Sequence, residues 1–552
     1  MNINKICAAV SALCFAGTVV TLSMNNLNND KAFALENPLG DVDGNGVIDG
    51  VDASTILSYY AQISTNHDGT TPELRSGDVD GNGVIDGVDA SAVLSYYAYI
   101  SANHDGTTLE QFIDKQNDTP ANKLKSGGDT FTVAVWNADE YPRLISTWLD
   151  VSDRDLVDYF SSQTYRYDRI HHPDSPMFRT PSGAGLNIVN FGVGGGEAAE
   201  HYDQMFASGE DMDVYYCESE WMNKYINDDK RTAPLSDLGF TDEDLAQTYE
   251  FADKIGHNKN GVRKAVAPFI CPGGFAYRTD LAEYYLGIKS PSEMQSAVGN
   301  WDDFVSTAQK ISEKTNGNLA LADTVGGMYQ AYRMSHRMVD KDENLTADAR
   351  AFADYAKTLW DCGGVTKNGQ WSDEWINNGL QDKVMGYFVP SWGLNGYLSL
   401  ASENTPGQWE LIQGPEAFYW GGIYTVVNPA TDNADDCASF IRSSCLDKKN
   451  TLKTAENDIY YLPNNKEAVS EIVKNPSLTA IGSVDTFGTK NYLNVLADTA
   501  ENITFTPYTY QNESDVELFI LNTIQKNYLT GYTPWSVTET ACKSSKYWPL
   551  IK

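Results

Sequence analysis

From residue 130 to the C-terminus, short apolar runs alternate with longer segments whose apolar residues recur every three or four positions. The runs over 130–136 (T-F-T-V-A-V-W), 186–193 (L-N-I-V-N-F-G-V), 213–216, 384–389 and 422–427 predict strands. The periodic segments 194–208, 221–227, 301–315 and 347–360 predict helices. Glycines open the first of these, and Asn300 and Thr346 stand as N-caps of the last two. Strand–helix alternation of this kind predicts an α/β architecture. The stretch 150–185, with His171, His172, Pro173 and Asp174, follows neither period and reads as an insertion.

The first part of the chain is built differently. Residues 40–71 and 77–108 are copies of one another that differ at four of 32 positions: Thr55/Ala92, Ile56/Val93, Gln62/Tyr99 and Thr65/Ala102. Each copy opens on an acidic loop and continues into one helical segment; Ile56, Leu57, Tyr60 and Ile63 form the expected apolar face of the first. In the first loop, oxygen-bearing residues fall at positions 1, 3, 5, 9 and 12: Asp41, Asp43, Asn45, Asp49 and Asp52. Gly46 is placed for the sharp turn at position 6, and the Val47 carbonyl follows at position 7. The second loop repeats this with Asp78, Asp80, Asn82, Val84, Asp86 and Asp89. That is the ligand spacing of an EF-hand loop, which wraps hard oxygen donors around calcium. Two departures matter: position 12 is Asp instead of Glu, and no helix precedes either loop.

A duplicated loop–helix with those departures resembles a dockerin, over residues 38–114. The resemblance implies a small all-α module that folds around two calcium ions and docks to a cohesin domain of a scaffoldin. It also implies that loop positions 10 and 11, here Gly50, Val51, Gly87 and Val88, touch the partner. Dockerins often carry hydroxyl residues there, so the cohesin subtype is left open. Because the copies agree, either helix is expected to dock after a half-turn.

Over 130–552 the order of segments resembles an extracellular solute-binding protein of the sugar-binding type that serves ABC importers. The pieces are V-N-F-G-V before a helix, F-A-S-G-E-D-M-D-V-Y-Y at 206–216, A-P-L-S-D-L at 233–238, V-R-K-A-V-A-P-F at 262–269 and F-A-Y-R-T-D-L at 275–281. L-G-I-K-S-P, N-W-D-D-F, D-K-V-M-G-Y-F with S-W-G, and W-G-G-I-Y-T-V-V-N-P follow in order. The resemblance implies a two-lobed, periplasmic-binding-protein-like fold of type II, with ligand between the lobes. A sugar offers apolar C–H faces to aromatic platforms and hydroxyls to carboxylates. Trp136, Trp221, Trp392 and Trp420 are the candidate platforms, and Asp139 and Glu218 the candidate acceptors.

Composition narrows the functional classes. Among 552 residues, 75 acidic and 40 basic side chains leave a formal charge of −35, which repels nucleic acid and anionic lipid. Residues 1–34 read as a secretory signal, with Lys5, an apolar stretch from Ile6 to about Leu22, and Ala32-Phe33-Ala34 as a cleavage site. No later run is long enough to span a membrane. Cys14 is a poor lipid acceptor, so a dockerin would take the place of a lipid anchor. Six cysteines remain after the signal, without a C-x-x-C, and Cys437 and Cys445 stand too far apart on one helix to bridge. Residues 115–129 read as a linker. G-V-G-G-G-E at 192–197 lacks the last glycine of a nucleotide loop and reads as a helix entry.

The expected protein is therefore a secreted monomer held at the cell surface through a scaffold, capturing an oligosaccharide without catalysis, with an ABC importer as a further candidate partner. Two alternatives stay open: a dockerin-borne glycoside hydrolase, which would need two carboxyls about 5–10 Å apart, and a structural or adhesive scaffold component.

Overall fold

The computed structural model describes residues 37–65, 75–79, 85, 87–103, 106–112, 124–137, 141–152, 154–156, 178–340, 344–482, 485–505 and 513–543. The signal segment, His171 to Asp174, and Asp80, Asn82, Val84, Asp86 and Asp139 lie outside the described residues. The chain separates into two compact units, Met1–Asp118 and Thr119–Lys552.

The small unit consists of the two repeated helices, α1 (Gly50–Thr65) and α2 (Gly87–Asn103), packed against each other. Its core draws equivalent residues from the two copies: Val42 and Val79, Ala53 and Ala90, and Ile56 and Val93. Leu109 and Phe112 close that core from beyond the repeat. Gly40, at φ +84°, leaves no room for a Cβ, which would lie 2.3 Å from Leu109 Cδ2. The apolar face expected for α1 is only partly internal. Ile56 is buried, but Leu57 and Tyr60 are 46% and 43% exposed, and Tyr97, the repeat equivalent of Tyr60, is 44% exposed. The core is only two helices deep, so it can cover one stripe of each helix and leaves the neighbouring apolar positions outside.

The large unit is built on two sheets, and its α/β character is as expected. The first sheet contains β1 (Thr130–Val135), β2 (Gly185–Asn190), β3 (Val214–Glu218), β4 (Ala265–Val266) and β9 (Ile423–Val427), in the order β2-β1-β3-β9-β4. β1 runs parallel to β2 and β3, while β9 is antiparallel to β3 and β4. The second contains β5 (Gly273–Arg278), β6 (Ala320–Ala322), β7 (Val384–Pro390) and β8 (Trp409–Ile412), in the order β6-β7-β5-β8. β5 and β7 are buried along their whole length, as strands covered on both faces must be.

Helices used below are α3 (Gly195–Ser208), α4 (Trp301–Thr315), α5 (Val325–Arg333), α6 (Ala347–Cys362) and α7 (Asp373–Leu380). The caps read from sequence are made: Asn300 Oδ1 accepts the Asp303 N–H at 2.9 Å, and Thr346 Oγ1 accepts the Ala349 N–H at 3.1 Å.

The chain leaves the first sheet after β4, builds the second, and returns as β9. The outgoing and returning crossings pair with each other. Trp420 N–H donates to the Cys271 carbonyl at 3.0 Å, and Gly273 N–H to the Phe418 carbonyl at 2.8 Å. Residues 124–129, the end of the expected linker, run along the returning segment. The Gly128 N–H donates to the Asp432 carbonyl at 2.9 Å and the Ala434 N–H to the Lys125 carbonyl at 2.8 Å. Among the described residues, the six cysteines form no disulfide.

Candidate functional site

In the first calcium-type loop, carboxylate oxygens of Asp41, Asp43 and Asp52 lie within 4.8 Å of one another. Asp52 starts helix α1 and reaches back across the loop. Its Oδ1 accepts the Val42 N–H at 2.7 Å and the Asp43 N–H at 3.1 Å, and its Oδ2 accepts the Asp49 N–H at 2.9 Å. Asp41 accepts the N–H groups of Asn45 and Gly46, at 3.0 and 2.9 Å. The second copy repeats the closing contact, with Asp89 Oδ1 accepting the Val79 N–H at 2.7 Å. Asp52 and Asp89 are both buried. Three converging carboxylates repel one another, and a buried one loses hydration; a hard divalent cation compensates both. The donor set therefore fits calcium, with Asp41, Asp43 and Asp52 as its core in this loop.

In the large unit, the expected platforms separate into two groups. Trp136, just past β1, and Trp221, just past β3, are each only 4% exposed. They pack edge to face with ring centroids 6.0 Å apart, inside the core of the first sheet, and Trp136 also meets Tyr141 at 5.4 Å. Trp392 and Trp420 are half-buried at the crossings. There they share a cluster with Trp371 and Tyr397, two rings that the sequence reading missed. Trp371 lies 5.4 Å from Trp392, 4.4 Å from Tyr397 and 5.1 Å from Trp420, and Trp392 lies 6.0 Å from Trp420. The Trp392 indole N–H donates to the Trp420 carbonyl at 2.8 Å.

Glu218 ends β3 and lies against the first residue of α3. A Cβ on Gly195 would fall 2.4 Å from Glu218 Oε1, so the glycine-opened entry is a matter of room for this carboxyl. Burial, and next the charge of Glu220, push the Glu218 carboxyl up to about 7, while the Trp221 indole N–H offsets part of the rise. The next residue fastens this loop to the returning crossing: Ser219 N–H donates to the Gly422 carbonyl at 3.0 Å, and its Oγ to the Gly421 carbonyl at 3.1 Å. Gly421 and Gly422 hold φ of +79° and +106°, which side chains rarely adopt. Glu220 then pairs with Arg333, the last residue of α5, which belongs to the other sheet; both side chains are largely buried. Arg333 is steadied by Gln330, whose Oε1 accepts its Nε–H at 2.7 Å. Glu218, the Glu220–Arg333 pair and, through the Ser219 bonds, the glycines that follow Trp420 thus stand on the loops where the chain passes between sheets. Such a place offers apolar faces and hydrogen-bonding groups together.

Two family models match the chain at these features. One is described as dockerin type I domain and covers residues 39–97; the other is described as bacterial extracellular solute-binding protein and covers residues 185–441. The chain carries a dockerin type I region and a solute-binding region. The second description is one of binding, not catalysis. Solved structures agree on the fold of the solute-binding region. A structure described as extracellular solute-binding protein family 1 superposes with a TM-score of 0.60 at 16% identity, covering 75% of this chain and 98% of that one. The sugar-binding protein MalE from Xanthomonas citri gives 0.56 at 13% identity, over 76% and 97%. The galacto-N-biose/lacto-N-biose I-binding protein of a Bifidobacterium longum ABC transporter gives 0.53 at 13% identity, over 76% and 96%. No curated protein matches the chain. Among the described residues, no helix is long and apolar enough to cross a membrane.

Proposed function

We propose that this protein is a secreted capture component of a cellulosome-type surface assembly. Its dockerin region, holding calcium in both loops, docks to a cohesin domain, and its solute-binding region retains a soluble oligosaccharide without cleaving it. The observation that carries the sugar reading is the cluster of Trp371, Trp392, Tyr397 and Trp420 at the crossings, which the Ser219 bonds to Gly421 and Gly422 tie to the loop after Glu218. Indole and phenol faces suit the C–H faces of pyranose rings, and the carboxyl suits their hydroxyls. The neighbours in fold include proteins described as binding maltose-type and galactose-containing sugars, which points the same way. The hydrolase alternative needs a free pair of carboxyls, and Glu220 beside Glu218 is already held by Arg333.

On the dockerin side, Val51, Leu57, Tyr60 and Tyr97 present apolar surface that the small core does not use. With Gly50, Gly87 and Val88 they form the proposed cohesin-binding faces. Docking in either orientation predicts that V51D or V88D alone binds a cohesin within about threefold of the parent, while the double variant loses binding; chelation of calcium abolishes it in all. Loss in either single variant means one fixed orientation.

The sugar reading is tested by titration calorimetry of the full chain, in calcium, against plant-wall and starch oligosaccharides, with chromatography of each mixture afterwards. Micromolar binding with every sugar recovered intact is the expected result. Shortened products would replace capture by hydrolysis, and no heat with any sugar would remove the sugar reading.

A further inference from the structure

Trp371 is the residue of the cluster whose conformation is least comfortable. Its φ is +63°, in the left-handed region that a large side chain rarely enters without being forced. The chain on both sides is anchored. Before it, the Gln370 side chain accepts a hydrogen bond from Thr324 Oγ1. After it, Ser372 caps α7, with its Oγ accepting the Trp375 N–H at 3.2 Å. Between those anchors the indole is packed among four rings at once: Trp375 at 5.0 Å, together with Trp392, Tyr397 and Trp420. Gly369, two residues earlier, borders open space on its side-chain face, and its carbonyl accepts the Ser372 Oγ–H at 2.9 Å.

The spacing within the cluster decides what else can enter. A sugar ring sandwiched between two aromatic rings holds them about 7–8 Å apart, twice an ordinary carbon–carbon contact. Trp371 and Trp392 each lie 6.0 Å or less, centroid to centroid, from one another and from both Tyr397 and Trp420. No pyranose fits between Trp371 or Trp392 and any other ring of the cluster as they stand. Removing the Trp371 indole would uncover the faces of Trp420 and Tyr397 that it lies against, at 5.1 and 4.4 Å, while Trp392 meets both of them edge-on at 6.0 Å. We propose that Trp371 is a built-in occupant of the aromatic slot, which withdraws from between Trp420 and Tyr397 when a sugar ring takes its place. The inference rests on the reading of this region as a sugar-binding module, and it adds the residue that sets its affinity: the ligand competes with the protein's own indole. The strained backbone at 371 favours withdrawal, and the stacking opposes it.

The test is calorimetry and stopped-flow binding of one neutral oligosaccharide that the full-length, calcium-loaded protein binds, compared with W371G. Glycine accepts φ +63° and removes the ring. W371N, which also tolerates this conformation, is the second variant should W371G fold poorly; far-UV circular dichroism checks both. The expected result is tighter binding, by roughly 5- to 30-fold, with faster association, while W420A binds more weakly than wild type. Sugar bound by W371G alone, and not by wild type, would support the proposal further. Unchanged or weaker binding in both variants overturns it, making Trp371 an ordinary platform, and leaves the sugar reading standing. Absence of binding by wild type and both variants with every sugar overturns the two together.

Discussion

Glu218 takes a proton more readily in the folded protein than it would in an unfolded chain, and the direction of that shift has a consequence. Its carboxyl sits at about 7 instead of 4.5, chiefly through burial and then through Glu220. Folding therefore binds a proton between those values. The stabilising share of this group is complete below pH 4.5 and is lost as pH rises through 7, at no more than about 1.4 kcal/mol per pH unit. Asp213 and Asp323, each raised to about 6 by burial, act with the same sign over a lower window. Glu218→Gln removes one of the three contributions and keeps the shape of the side chain. Urea unfolding of the solute-binding region at pH 5, 6, 7 and 8 is expected to show wild type losing ground to E218Q as pH rises. Parallel curves would mean that Glu218 ionises normally.

Among the elements, α3 depends on Glu218 through a glycine. Ala at 195 would place its Cβ 2.4 Å from the carboxyl oxygen, so either the helix entry or the carboxyl must shift. Gly195→Ala is expected to destabilise the fold by about 1–3 kcal/mol and to weaken ligand binding. Gly196→Ala, whose Cβ meets open space, is expected to be neutral within about 0.5 kcal/mol. Urea titration and calorimetry of both variants separate a local clash from a general intolerance of substitution at this helix start. Elements set by local chemistry were the legible ones. The α4 and α6 starts follow from Asn300 and Thr346, because a cap needs only the next three residues. The calcium-type loop follows from ligand spacing, and Asp52 closes it as the spacing requires. Features decided by distant contacts were not legible. β3 begins at Val214, one residue later than expected, and the Asp213 carboxylate accepts from the distant Thr132 N–H at 2.7 Å and from Thr431 Oγ1. Trp136 and Trp221 carry the residue type of a platform but lie within the core, and no local pattern distinguishes them from Trp392 and Trp420. Trp371 and Arg333 entered the site only through the return of the chain between sheets.

At the scale of the whole solute-binding region, the Glu220–Arg333 pair is a bond between its halves. Glu220 follows β3 of the first sheet, and Arg333 ends α5, which packs on β7 of the second. The pair is largely buried, so separating the partners leaves charges to be rehydrated, and removing one partner leaves the other uncompensated. Domain closure around a ligand draws on contacts made only when the halves are together. An ion pair across the gap stabilises that state without touching the ligand, and apparent affinity scales with the fraction of molecules in it. Glu220→Gln is expected to lengthen the distance between spin labels at Lys230 and Glu313, on opposite halves, in the free protein. Saturating ligand is expected to restore the wild-type distance, with affinity reduced about tenfold. In the double variant E220Q/R333Q neither partner of the pair is left charged, though Arg333 also faces the buried Glu517 carboxyl, so its stability is expected to recover part of the way toward wild type while the label distance stays long. Unchanged distances in E220Q, with affinity still reduced, would place Glu220 on the ligand itself and not on the closure of the two halves.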